Sequence, residues 1–196
     1  EVDSLRIEDG TDSVLLKKQE GKWLLPESGN FPANQSSVEQ LLGNLAIMKK
    51  GWPVAKTRSA VRRFQVDEEQ FERKLVLLSG DEAQATLYVG TSPGFRKVHI
   101  RPANGDEVYA VMFNTWDAAA KADEWIDKDV LTLEESDLDR VEIPGVVLHW
   151  KDGKPKVADL GEKEQTNEKE SRSLLGKLTK LRIQSVLGTE IKPEYR

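Results

Sequence analysis

Two histidines, His99 and His149, are the side chains that could serve as a general base or a metal ligand near neutral pH. Such work needs a second group to orient the ring, usually a carboxylate. Each histidine instead sits in a strand-like alternation, between Val98 and Ile100 and between Leu148 and Trp150, with no sequence-local partner. Both read as satisfied or solvent-facing strand residues. A hydrolase built on either one would need a distant carboxylate brought into a cleft. The chain has no cysteine, which removes disulfides, thiolate metal sites and a thiol nucleophile. No Gly-x-Ser-x-Gly elbow is present.

Other candidate motifs fail on spacing. Asp9 to Glu20 has the length of a calcium loop, but Val14 stands where glycine is required, and Thr11 and Ser13 replace carboxylates. The acidic run Glu134-Glu135-Ser136-Asp137 with Asp139 reads as a polar linker. Gly90-Thr91-Ser92-Pro93-Gly94, followed by Arg96 and Lys97, could hold an anion, yet it lacks the lysine-serine ending and the helix start of a phosphate cradle. A hairpin loop is the expectation. Asn34-Gln35-Ser36 fits a glycosylation sequon, with Ser36 also a candidate helix cap. No metal, cofactor or catalytic residue is therefore assigned.

The aromatic residues leave one alternative open. Trp23, Trp52, Trp116, Trp125 and Trp150 lie at element ends among apolar residues, where core packing is the default. A stacking platform for a small ligand or glycan would instead use the loop-borne Phe31, Trp52 and Phe95, with Arg96 and Lys97 as polar partners.

The elements that would position these residues follow from hydrophobic period. Leu5-Ile7, Val14-Leu16 and Trp23-Leu25 are short strands separated by turn clusters, a small antiparallel meander. Ser36 and Glu39 form a capping box ahead of Val38, Leu41, Leu42, Leu45 and Met48, one apolar helical stripe closed by Lys49-Lys50-Gly51. Residues 57–70 are charged and irregular, with a helical turn possible at Asp67–Phe71. Four more strands follow at Lys74–Leu78, Ala85–Val89, Lys97–Arg101 and Val108–Phe113. Thr115–Asp127 leans helical.

A shortened copy of the opening returns. Asp139–Glu142, Val146–His149, Gly153 and Leu174-Leu175-Gly176-Lys177-Leu178 mirror the opening meander and helix, offset by 132 residues at the glycines and 133 at the leucines. Asn167 and Glu170 repeat the capping-box spacing, and Leu181 extends the apolar stripe. Gly43 and Gly176, in matching places, suggest a close helix–sheet approach. The expected architecture is α+β: antiparallel β meanders with helices packed on one face, built from a duplicated β-β-β-α unit. Residues 1–135 form the first unit with an inserted four-strand meander, and 136–196 a shortened second unit packed against it.

At 196 residues the chain can bury a real core. Its 38% hydrophobic and 32% charged residues exclude a disordered chain. A net charge of −5 argues against nucleic-acid binding through phosphate contacts, although residues 151–196 hold 11 Lys/Arg against 8 Asp/Glu. No apolar run approaches the roughly 20 residues of a membrane helix. The first residue is Glu1, not methionine, so a processed or trimmed chain is expected.

With the strand order laid out, the chain resembles a bacterial family known as a domain of unknown function, DUF4340. The resemblance is carried by Val14-Leu15-Leu16-Lys17-Lys18 with Gly21-Lys22-Trp23, by Pro32-Ala33 leading into Val38–Leu45, and by Arg63-Phe64-Gln65-Val66. It continues through Leu87-Tyr88-Val89-Gly90, Val108-Tyr109-Ala110-Val111 and Trp125-Ile126-Asp127-Lys128. It implies an envelope protein, membrane-anchored with a periplasmic or extracytoplasmic body, often linked with ABC-type transport systems of the gliding-motility-auxiliary kind. It implies no activity, cofactor or catalytic residue. The expected function is a non-catalytic interaction or scaffold module with envelope or ABC-transporter partners. It would touch the membrane only through an anchor absent from these residues, and would not bind nucleic acid.

Overall fold

The computed structural model describes residues 1–151 and 154–188. The chain forms two compact units, one built on Glu1–Asp127 and the other spanning Lys128–Gln184. Gly153, the expected turn of the second copy, lies outside the described residues.

The larger unit is organised by an eight-stranded, wholly antiparallel sheet. Its strands are β1 (Ser4–Glu8), β2 (Ser13–Gln19), β3 (Lys22–Leu25), β4 (Phe31–Pro32), β5 (Arg73–Ser79), β6 (Glu82–Val89), β7 (Lys97–Pro102) and β8 (Tyr109–Met112). The order β4-β3-β2-β1-β5-β6-β7-β8 shows two meanders joined at their first strands. β1 pairs with β5 over five residues, Ser4 opposite Leu78 through Glu8 opposite Lys74. The two helices of this unit, α1 (Gln35–Ala46) and α2 (Arg58–Arg63), lie in the connection between the meanders.

The alternating residues decide the core. Leu5, Ile7, Val14, Leu16, Trp23 and Leu25 from the first meander share one sheet face with Leu75, Val89, Val98, Ile100 and Val111 from the second, and all are buried. Each such side chain removed from water contributes roughly 1.5–3 kcal/mol. The end of α1 lies over this face, where Ile47 and Met48 come beside Val98 and Phe113. The opposite face of β6–β8 carries Tyr88, His99 and Arg101. α2 and the residues after it cover this side, where Val61 and Val66 cluster with Tyr88 and Val108, and Phe64, Phe71 and Ala55 pack around them. The α+β class holds, with α2 on the side opposite that main buried face.

Five local expectations are corrected. The cap of α1 is Asn34, whose side-chain oxygen accepts from the Ser37 N–H at 3.0 Å, so Ser36 lies inside the first turn. Asn34 is the sequon asparagine, and its side chain is engaged in that cap. α1 also stops early: Ile47 closes it, and Lys49-Lys50-Gly51 lie beyond its end, outside any helix or strand. Finally, a Cβ built at Gly43 or at Gly176 meets nothing within 4 Å, so neither glycine marks a close helix–sheet approach. The stretch read as irregular after residue 57 instead holds α2, capped by Thr57 accepting from the Ala60 N–H. The helix-leaning Thr115–Asp127 resolves into two short 3-10 turns, Thr115–Ala118 and Ala122–Glu124.

The smaller unit pairs β9 (Arg140–Ile143), β10 (Val146–Lys151) and β11 (Lys154–Val157) as an antiparallel sheet, followed by α3 (Glu168–Leu178). Asn167 caps α3 as expected, accepting from the Glu170 N–H at 3.2 Å. Leu148 and Leu175 are its buried centre. The first stretch differs by a fourth strand, β4, between its meander and α1, so the two stretches do not share one element order, and Pro155 is buried at the position that corresponds to Trp23.

Candidate functional site

An open groove of about 890 Å³ lies at the end of the β7–β8 ladder. That is within the range of roughly 300–1,000 Å³ typical of ligand sites. Three stretches build it. The chain leaving α1 supplies Ile47, Met48 and Lys49; the start of β7 supplies Arg96 and Lys97; the end of β8 supplies Met112 and Phe113. Glu72 and Asp117 add two carboxylates to the lining.

Local chemistry fixes each wall. The loop between β6 and β7 is folded on itself by Ser92, whose hydroxyl bridges the carbonyls of Gly94 (2.8 Å) and Lys97 (2.7 Å). Arg96 takes a left-handed backbone (φ 55°), and its guanidinium lies 5.0 Å from the Phe95 ring. Lys97 is the cross-strand neighbour of Met112. Beyond β8, Asn114 caps the next turn by accepting from the Trp116 N–H, and donates to the Asp117 carboxylate at 2.9 Å. Among the described residues, none of Lys49, Arg96, Lys97, Glu72 or Asp117 forms an ion pair. The groove therefore offers unpaired cations beside an apolar wall.

The five residues singled out from sequence separate. Arg96 and Lys97 line the groove; Phe95 is adjacent in sequence, 84% exposed and not part of the lining. Trp52 is 93% exposed and also outside the lining. Phe31 is half-buried on β4, paired with Leu25 at the far end of the strand order. Ile47, Lys49 and Met112 were missed because the helical stripe was carried too far and because strand alternation does not say which strand is an edge. Of the tryptophans, Trp23 and Trp125 are core and Trp52 and Trp116 are exposed.

The histidines are placed differently from a catalytic pair. His99 is 7% exposed and stacks on Phe64, ring centroids 4.0 Å apart. Its Nδ1 lies 2.8 Å from the Thr91 carbonyl, which can only accept, so Nδ1–H donates there. Burial, with Arg63 nearby, pushes its pKa below the usual 6.5, opposed by the Thr91 bond. His149 is exposed on β10. Neither ring has a carboxylate hydrogen-bond partner among the described residues, so the histidine-based hydrolase is set aside. Because the folded pKa of His99 is depressed, its contribution to stability is complete above about pH 6.5 and is lost as the pH falls toward the folded value. Urea midpoints are expected to drop between pH 7.5 and 5.5, and His99→Gln is expected to flatten that drop. An unchanged slope in the variant would assign it elsewhere.

Asp9, the first position of the calcium-like spacing, accepts from the Thr11 and Asp12 N–H groups in a tight turn. The Asp12 N–H is the main reason its pKa is lowered. Among the described residues no three His, Asp or Glu side chains are grouped to hold a metal ion. No helix of these residues is long and apolar enough to cross a membrane.

A family model described as "Domain of unknown function (DUF4340)" matches residues 23–196. The chain belongs to the DUF4340 family. Neither a curated protein nor a solved structure matches it. In this DUF4340 chain the match takes in both units, including the whole groove and the stretch from Arg140 to Leu178.

Proposed function

We propose that this protein is a non-catalytic interaction module of the cell envelope, accessory to an ABC-type transport system, and that the groove at the end of β7–β8 is its contact surface. The observation that carries the reading is the groove itself: unpaired Lys49, Arg96 and Lys97 beside Ile47, Met48 and Met112, with no nucleophile–base pair next to them. Apolar contact with a few placed charges is how recognition surfaces combine affinity with orientation. The envelope and transport setting rests on what the sequence resemblance implies.

The test is cross-linking in native membranes, with the protein expressed from its own gene and a photoreactive residue at Met112. Transporter subunits are expected among the adducts, and Arg96→Glu with Lys97→Glu is expected to remove them while leaving the urea midpoint unchanged. Adducts that survive charge reversal, or that never include a transport component, would sink the reading.

A glycan or small-ligand platform is less favoured by the geometry. Its aromatic members Phe31, Trp52 and Phe95 do not converge on the groove that holds Arg96 and Lys97.

A further inference from the structure

We infer that the groove captures an acidic, extended peptide segment, which adds to the free outer edge of β8 as a ninth strand. The inference rests on the groove being an interaction surface, and it names what binds there and how.

The hydrogen-bond pattern identifies the free groups. Phe113 N–H donates to the Arg96 carbonyl at 3.2 Å, so odd-numbered residues of β8 point their backbone at β7. Val108 points the other way: its N–H donates to the Ala55 carbonyl at 2.9 Å, and its carbonyl accepts from the Val54 N–H at 2.8 Å. Ala110 and Met112 therefore direct N–H and C=O outward. No described residue pairs with them, since β8 ends the sheet.

The protein has begun this addition itself and stopped. Val54–Ala55 makes a single antiparallel rung on Val108. Val54 and Ala55 both bond to Val108, and the residue before them is Pro53, which has no N–H to give a neighbouring strand. The chain leaves the edge there, and Trp52 projects into solvent at 93% exposure. The rung that does form is pinned: Lys56 pairs with Glu107 at 2.6 Å, and the Tyr109 hydroxyl donates to the same carboxylate. Beyond this anchored rung, the outward groups of Ala110 and Met112 stay open, and Met112 lines the groove.

Charge selects the occupant. Lys97 is the residue opposite Met112, Arg96 precedes it, and Lys49 borders the groove from the α1 side, all without an ion partner among the described residues. Lys50 lies 5.1 Å over the Tyr109 ring. Glu107, the carboxylate nearest the open rungs in sequence, is already engaged by Lys56 and Tyr109, and Glu72 and Asp117 in the groove lining are outnumbered by Lys49, Arg96 and Lys97, with Asp117 accepting from Asn114. A second copy of this chain adding edge to edge would bring these cations against their own kind, which is a common defence of sheet edges. A strand carrying glutamate or aspartate meets them with opposite sign, while main-chain bonds supply affinity.

The experiment uses the intact chain and an acetylated, amidated peptide alternating valine and glutamate, at concentrations up to about 5 mM, the range of weak single-segment binding. Amide hydrogen exchange at Ala110 and Met112 is expected to slow about tenfold when peptide is bound, with Tyr109 and Val111 unaffected. The same peptide with lysine for glutamate is expected to bind at least about tenfold more weakly. Met112→Pro removes the outward N–H together with the side chain, so it is compared with Met112→Ala, which keeps the N–H; the proline variant is expected to bind about tenfold more weakly than the alanine variant, and equal binding by the two would overturn strand addition. Spectra of the β7 amides would show that the variant is folded. Methyl shifts at Ile47 and Met48 without slowed exchange at Ala110 and Met112 would overturn strand addition while leaving the groove a contact surface. Equal binding of the lysine peptide, or no shift at the top concentration, would overturn the inference and leave the cross-linking result to judge the interaction module separately. Protection of these amides that grows with protein concentration alone would name a second copy as the occupant and overturn it too.

Discussion

Gly90→Ala is expected to destabilise the larger unit by about 3 kcal/mol or more, near the top of the range for overpacking. A Cβ at this position would lie 2.0 Å from the Phe64 carbonyl oxygen and 2.3 Å from that of Gln65. Both obstacles are backbone, so no side-chain rotation relieves the clash. The backbone there is also held: the Phe64 carbonyl accepts from the Thr91 N–H at 2.9 Å and from its hydroxyl at 3.3 Å, and Gln65 is already in a left-handed conformation. The substitution must push α2 away from β6 and β7, loosening the cluster of Val61, Val66, Tyr88 and Val108. Urea unfolding of Gly90→Ala beside Gly105→Ala, whose added methyl meets nothing within 4 Å and whose φ is not left-handed, separates crowding from the general cost of altering a glycine. A loss at Gly90 no greater than at Gly105 would contradict the steric account.

Arg101→Ala is the second large expected loss, about 3 kcal/mol, measured the same way. Arg101 is 6% exposed on β7. Its Nε donates to the Val66 carbonyl at 2.7 Å, Nη1 donates to the Gly105 carbonyl at 3.1 Å, and the guanidinium lies 4.8 Å from the Tyr88 ring. Alanine would leave the Val66 carbonyl unbonded in a buried site and open a void against Tyr88. Arg101→Lys tests the geometry, because an ammonium cannot span both carbonyls as a planar fork does. It is expected to recover less than half of the loss. Full recovery by lysine would reduce the role of Arg101 to its charge.

These two residues show where the sequence is silent. Alternation placed most strands, because Leu5/Ile7 or Val98/Ile100 must share a buried face, although β6 begins three residues before Ala85, β2 runs three past Leu16, and the two-residue β4 is too short to show a period. Asn167 at a helix start was equally plain. Gly90 looked like the first residue of a flexible hairpin, since nothing in the local chain reveals that residues 64–65 cross above it. Arg101 looked like a polar strand residue, and only the return of the chain from α2 buries it. α2 itself was invisible because six residues, three of them arginine, give no apolar period. The groove was half legible: Arg96 and Lys97 drew notice as cations after a glycine-rich loop. Their partners Ile47 and Met112 come from stretches far away in sequence. Residue type likewise could not tell core Trp23 from exposed Trp52, because both lie at element ends.

The join between β1 and β5 bears on how the protein reaches this state. Each meander consists of neighbours linked by short turns, and hairpins of that kind close in microseconds. The five rungs between Ser4–Glu8 and Lys74–Leu78 instead bridge a stretch of more than sixty residues. They cannot form until that loop has closed, and its entropy is lost before any rung compensates. The middle of the sheet is therefore expected to be the last part to zip. Until then the chain carries two half-sheets with bare inner edges, and association between molecules at those edges competes with the native join.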